Sequence, residues 1–423
     1  MVVERRARQS IALGNIKTIT LNDLQTNINS TIITKNGIDQ KQPIRVLVTV
    51  HSVKLGLGDL YERGLGLWVG YIIQKYLKVR GVKFRLYMKS ILESTKLKSV
   101  VGFIKKNKID YLIPSDVTDT MFVSKYWHEI NATGVKFCIT PSLSVYEHLE
   151  DKWETYQMMT EFQIPTPKTV KYDTELKIED QPYPFFLKVA SGTNAGRGVW
   201  HCTNTKELEE ALQTKEVKYR GDDNLLLVQT PTYGDIVCAE VIYNHGKPLG
   251  FFFAQSVNAE DLAGMGSSYV NSQDAEYKQK HSHQKVILTD EQWESVTKIF
   301  HQLGKETKYH GMIDIEFIIA GDNNPQAEPG SLWLLECNPR FSGDIHTTLS
   351  NPGFLDLYFQ VMNGTIPDTM GCGNYSVGVD MKSTFGNYYP TQFYVSNPLN
   401  VLSIQQGLQP RHAVAIIIIV TAS

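Results

Sequence analysis

The chain has 423 residues, of which 42% are hydrophobic and 20% charged, and its 42 basic residues nearly balance its 44 acidic ones. This length predicts two or three domains, and the composition excludes disordered and collagen-like chains. The near-neutral charge excludes a strongly basic surface for nucleic acid. No signal peptide is visible, and the most apolar tract, residues 413–420, is shorter than the ~20 residues that a membrane helix needs.

The five cysteines lie far apart and never form a C-x-x-C pair. This pattern argues against both a disulfide framework and a zinc site, and it favours a reducing compartment. We therefore expect a cytoplasmic protein with neither a nucleic-acid nor a membrane partner.

The first part of the chain predicts a polar arm and then a parallel sheet. Residues 1–43 are rich in Asn, Thr and Gln, which is typical of an arm. Short apolar, β-branched runs then alternate with helix-length segments, which predicts a Rossmann-like lobe over residues 44–150. The predicted strands are IRVLVTV, VKFRLYM, IDYLIP and VKFCIT, and the predicted helices cover residues 67–79 and 97–106. The glycines after the first run lack the G-x-G-x-x-G spacing, so dinucleotide binding is not expected.

The pattern changes after residue 150. A helix over residues 151–163 ends before the prolines of IPTPKT. A small α+β unit follows, made of the strand FFLKVA, the glycine-rich loop SGTNAGRGVW, a helix and the strand LLLVQT. The remaining predicted elements are long β segments at 236–243 and 249–256, a helix at 290–309, a hairpin of GMIDIEFIIA and LWLLECNPRF, and a helix at 353–363.

The hairpin carries the sharpest chemical signal. Side chains alternate along a strand, so Asp314 and Glu316 share one face of its first strand. By the same period, Leu335 lies on the opposite face of the returning strand from the polar residues. Those polar residues are Glu336, Asn338 and Arg340.

Carboxylates that face one way on adjoining strands repel each other, and a divalent cation removes that cost. Magnesium prefers oxygen ligands, usually one or two carboxylates with substrate phosphates and water. Glu316, Glu336 and the amide oxygen of Asn338 offer such a set. The alternative is a solvated polar face of an edge hairpin.

A second signal is Lys188, which lies on FFLKVA just before a run of small residues. Small residues let backbone N–H groups approach phosphate oxygens, and a lysine on the preceding strand supplies positive charge. No G-K-[ST] follows, so this is not a Walker A loop, and a plain turn is the alternative.

The third signal is the crossover between LLLVQT and TYGDIVCAEV. Gln229 could meet the edge of an adenine there, and Asp235 could accept hydrogen bonds from ribose hydroxyls. A simple linker between two lobes is the alternative.

The order of these signals carries more information than any one of them. Asp151 and Lys152, the lysine strand with its glycine loop, the crossover, and a hairpin that ends in E-C-N-P-R follow one another. This arrangement resembles the ATP-grasp superfamily of carboxylate–amine ligases, and in texture it is similar to the branch of biotin carboxylase and carbamoyl-phosphate synthetase. The resemblance covers roughly residues 44–364.

The resemblance implies a multidomain α/β and α+β chain, with the Rossmann-like lobe in front of an ATP-grasp domain over residues 151–365. Within that domain it implies a lid at about residues 166–230 and a metal-bearing core at residues 231–365. Residues 366–423 then form a C-terminal extension.

The resemblance also implies roles for the matching residues. Arg340 and Lys188 are implied to be catalytic, Arg340 by steadying an acyl phosphate or the tetrahedral intermediate. The implied nucleotide-binding residues are Lys152, Lys188, Ser191, Gly192, Gly196, Gly198, Gln229, Thr230 and Asp235, with Glu240 as an alternative to Asp235. The implied metal ligands are Glu316, Glu336 and Asn338, with Asp314 as a rival to Glu316. The family often has glutamate and lysine where this chain has Gln229 and Thr230.

The activity that the resemblance implies is an ATP-dependent ligation with Mg²⁺ or Mn²⁺, through two ions. A small-molecule carboxylate becomes an acyl phosphate, and an amine, expected to be an amino acid, then attacks it to give an amide, ADP and phosphate. A bicarbonate-activating enzyme and a non-catalytic ATP-binding module are the alternatives, and a homodimer is left open.

Overall fold

The computed structural model describes most of the chain between residues 42 and 365. The described residues are 42–51, 64–91, 95–172, 183–192, 198–218, 225–256, 283–285, 288–322, 324, 327–341, 352–365, 373–374 and 419–421. The chain divides into two compact units, residues 1–43 and 44–423, and every element below lies in the second. The predicted arm and extension fall outside the described residues, apart from residues 42–43, 373–374 and 419–421. None of the helices described is long and apolar enough to cross a membrane.

The first sheet is built from the short apolar runs at the start of the second unit. β1 (Ile44–His51), β2 (Phe84–Ile91) and β3 (Tyr111–Ile113) are parallel in the order β2-β1-β3, and β14 (Ile419–Thr421) pairs antiparallel with β2. α1 (Gly64–Val79) and α2 (Leu97–Asn107) connect the parallel strands. These elements confirm the predicted alternation, whereas a Rossmann-like lobe over residues 44–150 stays a prediction.

Four helices lead from this sheet to the next. They are α3 (Val117–Lys125), α4 (Trp127–Asn131), α5 (Leu143–Glu150) and α6 (Lys152–Glu161). α6 begins where it does because the Asp151 carboxylate accepts from the backbone N–H groups of Trp153 at 2.8 Å and Glu154 at 3.0 Å. The predicted helix over residues 151–163 is confirmed to within two residues.

The predicted fourth strand, VKFCIT, does not form. Only Lys136 makes a β-bridge, to Tyr111. The carbonyl oxygens of Ile139 and Thr140 instead accept hydrogen bonds from side chains of α4 and α3, at 3.1 and 2.8 Å. The segment has the composition of a strand because its apolar side chains are buried, but its backbone is satisfied by helix side chains rather than by a ladder.

The second sheet is a small antiparallel one. β4 (Thr169–Lys171), β5 (Phe185–Val189), β6 (Val199–Cys202) and β7 (Leu226–Gln229) lie in the order β4-β7-β5-β6. α7 (Thr205–Leu212) packs Leu208 and Ala211 against one face, and α8 (Lys215–Lys218) follows it. This is the predicted α+β unit.

The third sheet forms the centre of the unit. It consists of β8 (Gly234–Asn244), β9 (Lys247–Ser256), β10 (His283–Lys285), β11 (Gly311–Ala320) and β12 (Leu332–Asn338), antiparallel in the order β10-β9-β8-β11-β12, and β13 (Gly373–Asn374) pairs with β9. α9 (Asp290–Thr307) begins at a capping box of Thr289 and Gln292 and buries Phe300 and Leu303 against one face of the sheet. α10 (Pro352–Asn363) follows the hairpin of β11 and β12. The other face of the hairpin is left for polar side chains.

Candidate active site

Polar side chains of three neighbouring strands lie on one face of the third sheet. The strand register places them in two rows, Cys238–Glu316–Glu336 and Glu240–Asp314–Asn338. Directly opposite side chains in a sheet lie about 5 Å apart, so the two rows form one polar platform. All of these side chains except that of Glu336 are buried. The predicted shared face of the hairpin carboxylates is confirmed.

The prediction for Leu335 is wrong. A β-bulge between Glu316 and Phe317 of β11 leaves Leu335 without an opposite residue, because Glu316 pairs with Glu336 and Phe317 pairs with Leu334. Leu335 therefore packs with Ile318 on the polar side of the sheet and lines the adjoining cleft. A strict period of two cannot anticipate this.

The amide of Asn338 is held in one orientation. Its nitrogen donates to the Asp314 carboxylate at 3.3 Å, and its oxygen accepts from the Arg340 guanidinium at 3.3 Å. Arg340 also donates to the carbonyl oxygen of Phe341 at 2.8 Å. Asp314 and Arg340 together thus fix the orientation of the Asn338 amide.

Arg340 lies among carboxylates from several elements. Burial works against its charged form, but carboxylates outweigh burial and raise its pKa. Those carboxylates belong to Asp116, Asp314, Glu150 and Glu336. The surroundings of Arg340 are therefore strongly acidic.

Two lysines approach the polar platform from the second sheet and from α6. Lys152 lies 3.9 Å from the Glu336 carboxylate, and its backbone N–H donates to Ala190 at the end of β5. Lys188 is buried on β5. Burial lowers the pKa of Lys188 to about 8, and Lys152 acts in the same direction, although Glu336 and Glu316 oppose the shift. The structure thus brings both predicted phosphate-binding lysines to the predicted metal ligands.

A cleft lies between the second sheet, α6 and β12. Its lining consists of Lys152, Thr155, Tyr156, Thr166, Thr169, Lys188, Leu227, Gln229 and Leu335. Gln229 donates from its amide nitrogen to the Thr169 hydroxyl at 3.0 Å, which directs its amide oxygen elsewhere. The backbone N–H of Thr230 donates to the backbone carbonyl oxygen of Lys168 at 2.9 Å. Of the two predicted hinge residues, Gln229 therefore has its side chain in the cleft.

Asp235 is not brought to the polar platform. It pairs with Ile319 in the register and so shares the sheet face of Val237, opposite to the face of Glu240. Its side chain is exposed, whereas that of Glu240 is buried. The ribose-binding role of Asp235 stays a prediction.

The glycine-rich loop is described only at its two ends. Gly192 and Gly198 have φ values of 71° and 76°, in the left-handed region that glycine adopts without strain. Ser191 is half-buried beside Gly192. Gly196 falls outside the described residues, and its predicted contact with phosphate is a prediction.

Two acidic residues near Arg340 are not predicted from the sequence. Asp116 lies between β3 and α3, three residues after the strand ends, and Glu150 precedes the Asp151 cap. Both act electrostatically on Arg340. Burial raises the pKa of Glu150 to about 7, against the opposing charges of Lys152 and Arg340. Asp116 could have been found from its position shortly after a predicted strand, whereas no local sequence pattern identifies Glu150 as a site residue.

The donor set of the hairpin fits magnesium. In the part of the chain that the structure describes, no three His, Cys, Asp or Glu side chains converge closely enough to hold a metal ion by themselves. Two carboxylates and one amide oxygen are the usual protein share of a magnesium site, because phosphates and water complete it. Glu316 and Glu336 are directly opposite each other, and Asn338 is the next polar residue on β12.

Comparison with known proteins finds likeness at the level of structure. No family model and no curated protein matches the sequence. A D-alanyl-alanine synthetase A from Vibrio cholerae gives a TM-score of 0.54 at 12% identity, over 76% of this chain and 98% of that one. A D-alanine–D-alanine ligase from Bacillus anthracis complexed with ATP gives 0.50 at 14% identity, over 76% and 96%. A phosphoribosylamine–glycine ligase from Thermotoga maritima gives 0.53 at 14% identity, over 78% and 77%.

These three solved structures are ATP-grasp ligases. Structural similarity at sequence identities this low shows a shared fold and says nothing of substrates. The chain therefore has the ATP-grasp fold, as the order of its sequence motifs predicts.

Proposed function

We propose that the protein is an ATP-dependent carboxylate–amine ligase that releases ADP and phosphate. One observation carries the proposal: Lys152, which lies 3.9 Å from the Glu336 carboxylate, and Lys188 line one cleft beside the hairpin of Glu316 and Glu336. Positive charge for phosphates and oxygen ligands for a cation are thus adjacent. That pairing is what phosphoryl transfer from ATP requires.

Phosphoryl transfer asks a protein for positioning and charge neutralisation more than for covalent chemistry. Lys152 and Lys188 would contact the nucleotide phosphates. The amide oxygen of Gln229 would accept a hydrogen bond from the edge of the adenine. Glu316, Glu336 and Asn338 would hold Mg²⁺ or Mn²⁺, two ions in our proposal, which supply charge neutralisation at the transferred phosphoryl group. Asp314 orients Asn338 for this task.

The carboxylate substrate becomes an acyl phosphate, and an amine then attacks its carbonyl carbon. Arg340 would stabilise the negative charge that develops on the carbonyl oxygen. Acyl phosphates hydrolyse in water, so a loop that closes over them protects the intermediate. The glycines at 192 and 198 give the ends of the 191–198 loop the backbone freedom that such closure needs.

We propose small-molecule substrates, with an amino acid as the amine, and a cytoplasmic location. A homodimer remains open. The domain limits of residues 44–150 and 151–365, with a lid at about 166–230, are part of the same proposal.

Two alternatives are kept for the test. A bicarbonate-activating enzyme needs the same nucleotide site, and the choice of substrate distinguishes it from a carboxylate–amine ligase. A non-catalytic ATP-binding module has no need of the whole polar platform, with its buried carboxylates and oriented amide.

The test is a substrate screen with purified protein, ATP and Mg²⁺. Amino acids and small carboxylates are supplied in pairs, phosphate release is measured, and the products are identified by mass spectrometry. We expect ADP, phosphate and a new amide. Formation of AMP and pyrophosphate would refute the acyl-phosphate mechanism, and phosphate release that needs only bicarbonate would favour the first alternative.

A further inference from the structure

Glu150 is a carboxylate at the site with no partner of its own. It is the last residue of α5, next to the Asp151 cap of α6, and it is half-buried. Its side chain makes no hydrogen bond or ion pair within the described part of the chain. The carboxyl end of a helix is also an unfavourable place for negative charge. Helix stability therefore does not explain a glutamate at this position.

The charges around Glu150 come from three neighbouring elements. Lys152 at the start of α6 and Arg340 beyond β12 favour its ionised form, whereas Glu336 on β12 and Asp116 before α3 oppose it. Burial is the largest influence, and the resulting pKa is about 7. A group that titrates there can both accept and release a proton at neutral pH.

Asp116 is a second carboxylate that its own element does not use. It occupies the N-cap position of α3, but its side chain caps no backbone N–H group. It lies three residues after the end of β3, in the segment that leaves the carboxyl edge of the parallel strands in the order β2-β1-β3. Ligands of open α/β sheets bind at this edge, where the strand order reverses.

Arg340 does not neutralise either carboxylate by a hydrogen bond. Its guanidinium donates to the backbone carbonyl oxygen of Phe341 and to the amide oxygen of Asn338, and both acceptors are uncharged. Asp116 and Glu150 therefore add negative charge beside the position where the acyl carbonyl would lie. A cationic group is the ligand that such a place attracts.

Building on the proposed ligase function, we propose that Asp116 and Glu150 form the subsite for the ammonium group of the amine substrate, and that Glu150 takes its proton. The N–H bond breaks, the proton passes to the Glu150 carboxylate, and the freed electron pair of the nitrogen attacks the carbonyl carbon of the acyl phosphate. The C–N bond forms and the C–O bond to the phosphoryl group breaks. The leaving phosphate carries away the second proton of the nitrogen.

The test compares two nucleophiles on the same acyl phosphate. Hydroxylamine is uncharged near neutral pH, so it needs neither an ammonium subsite nor a base that frees its electron pair before attack, and it traps acyl phosphates as hydroxamates. Its one lost proton leaves with the phosphate. The second nucleophile is the amine that the substrate screen identifies with the wild-type protein. Each is assayed with ATP, Mg²⁺ and the identified carboxylate, using the full-length chain.

We expect Glu150→Gln to lower amide formation by about 100-fold or more, because general base catalysis is worth that much, while hydroxamate formation stays near the wild-type rate. The rise of the amide-forming rate through pH about 7 disappears in this variant. Asp116→Asn raises the KM for the amine by about tenfold and leaves the KM for ATP unchanged. Glu147→Gln is the matched control, because Glu147 is exposed on the same helix, and both rates stay at wild-type values.

Equal losses of amide and hydroxamate in Glu150→Gln would overturn the inference, since they would place Glu150 in phosphoryl transfer or in folding. Unchanged amide formation would overturn it as well. Glu150→Asp, which keeps the carboxylate one methylene away, provides the same comparison if the glutamine variant does not fold. A wild-type protein that forms neither ADP nor hydroxamate refutes the ligase function itself, which is a separate outcome.

Discussion

Lys188 shows how burial changes the charge of a single residue near neutral pH. Its pKa is lowered to about 8, chiefly by burial, so the free protein loses the Lys188 charge above that pH. Binding of phosphates requires the protonated form. We expect the affinity for ATP to be constant below pH about 8 and to fall above it, by at most about tenfold per pH unit. Calorimetric titration of ATP across this range measures the effect.

Lys188→Arg is the control for this prediction. Arginine remains protonated throughout the range, so ATP affinity in the variant should not change with pH, whatever its absolute value. A wild-type affinity that does not change between neutral and alkaline pH would show that Lys188 does not contact the phosphates.

Among the carboxylates of the polar platform, Glu336 is the most exposed. Its replacement by glutamine keeps the shape but removes the charge that both a cation and Lys152 would meet. We expect kcat to fall by roughly 100-fold or more, because the loss of several kcal/mol of charge stabilisation has that effect. The Mg²⁺ concentration needed for half-maximal rate should rise as well, and steady-state kinetics at varied Mg²⁺ measures both.

Glu328→Gln is the comparison variant, since Glu328 is exposed between β11 and β12. Its kcat should equal that of the wild type, and both variants should have melting temperatures near the wild-type value. Wild-type turnover in Glu336→Gln would mean that the metal binds elsewhere.

The residues that could be predicted from sequence are those whose position follows from a regular element. Glu316 and Glu336 lie on one face because strands alternate, and Lys188 is buried because its strand is apolar on both sides. Asp116 and Glu150 could not be found in this way. They belong to the ends of separate elements and meet at Arg340 only through the tertiary fold.

At the scale of elements, the sequence predicts what hydrophobic period and turn residues encode. The parallel strands β1 to β3, the hairpin strands and the long helices follow from these signals, but the bulge at Leu335 does not, because one extra residue changes the face of a side chain without a local mark. The failed strand at VKFCIT has a similar cause. Its apolar side chains are buried as in a strand, but the side chains of α3 and α4 satisfy its backbone.

Gly304 gives an element-scale prediction about how α9 packs on the turn between β8 and β9. A Cβ atom on Gly304 would lie 2.2 Å from the carbonyl oxygen of Gly246 and 2.6 Å from the Tyr243 ring. Alanine normally stabilises a helix interior by about 1 kcal/mol relative to glycine. Here the clash outweighs that gain, so Gly304→Ala should lower the free energy of unfolding by about 1–3 kcal/mol.

Gly102 in α2 is the matched control, because a Cβ atom there would meet nothing within 4 Å. Gly102→Ala should raise the free energy of unfolding by up to about 1 kcal/mol. Urea denaturation of both variants measures the contrast. Equal stabilisation by the two changes would mean that α9 and the turn do not approach each other so closely.

At the scale of the second unit, one buried cluster joins elements that are far apart in the sequence. Asp356 on α10 accepts from the Tyr76 hydroxyl at 2.5 Å and is paired with Arg80, which follows α1 and lies 276 residues earlier in the chain. Phe359 of α10 also stacks on Tyr76. α10 follows the hairpin of β11 and β12, so this cluster fastens the helix after the hairpin to α1.

Removing one partner of this cluster should be costly for the whole unit. Asp356→Ala leaves the Arg80 charge and the Tyr76 hydroxyl buried without their acceptor, and we expect the free energy of unfolding to fall by about 3–5 kcal/mol. The double variant Arg80→Met with Asp356→Leu removes both charges and replaces them with apolar groups, so it should recover a large part of that loss. Urea denaturation of the single and double variants measures the difference. A double variant as unstable as Asp356→Ala would mean that the ion pair itself, and not the avoidance of an unpaired buried charge, fastens α10 to α1.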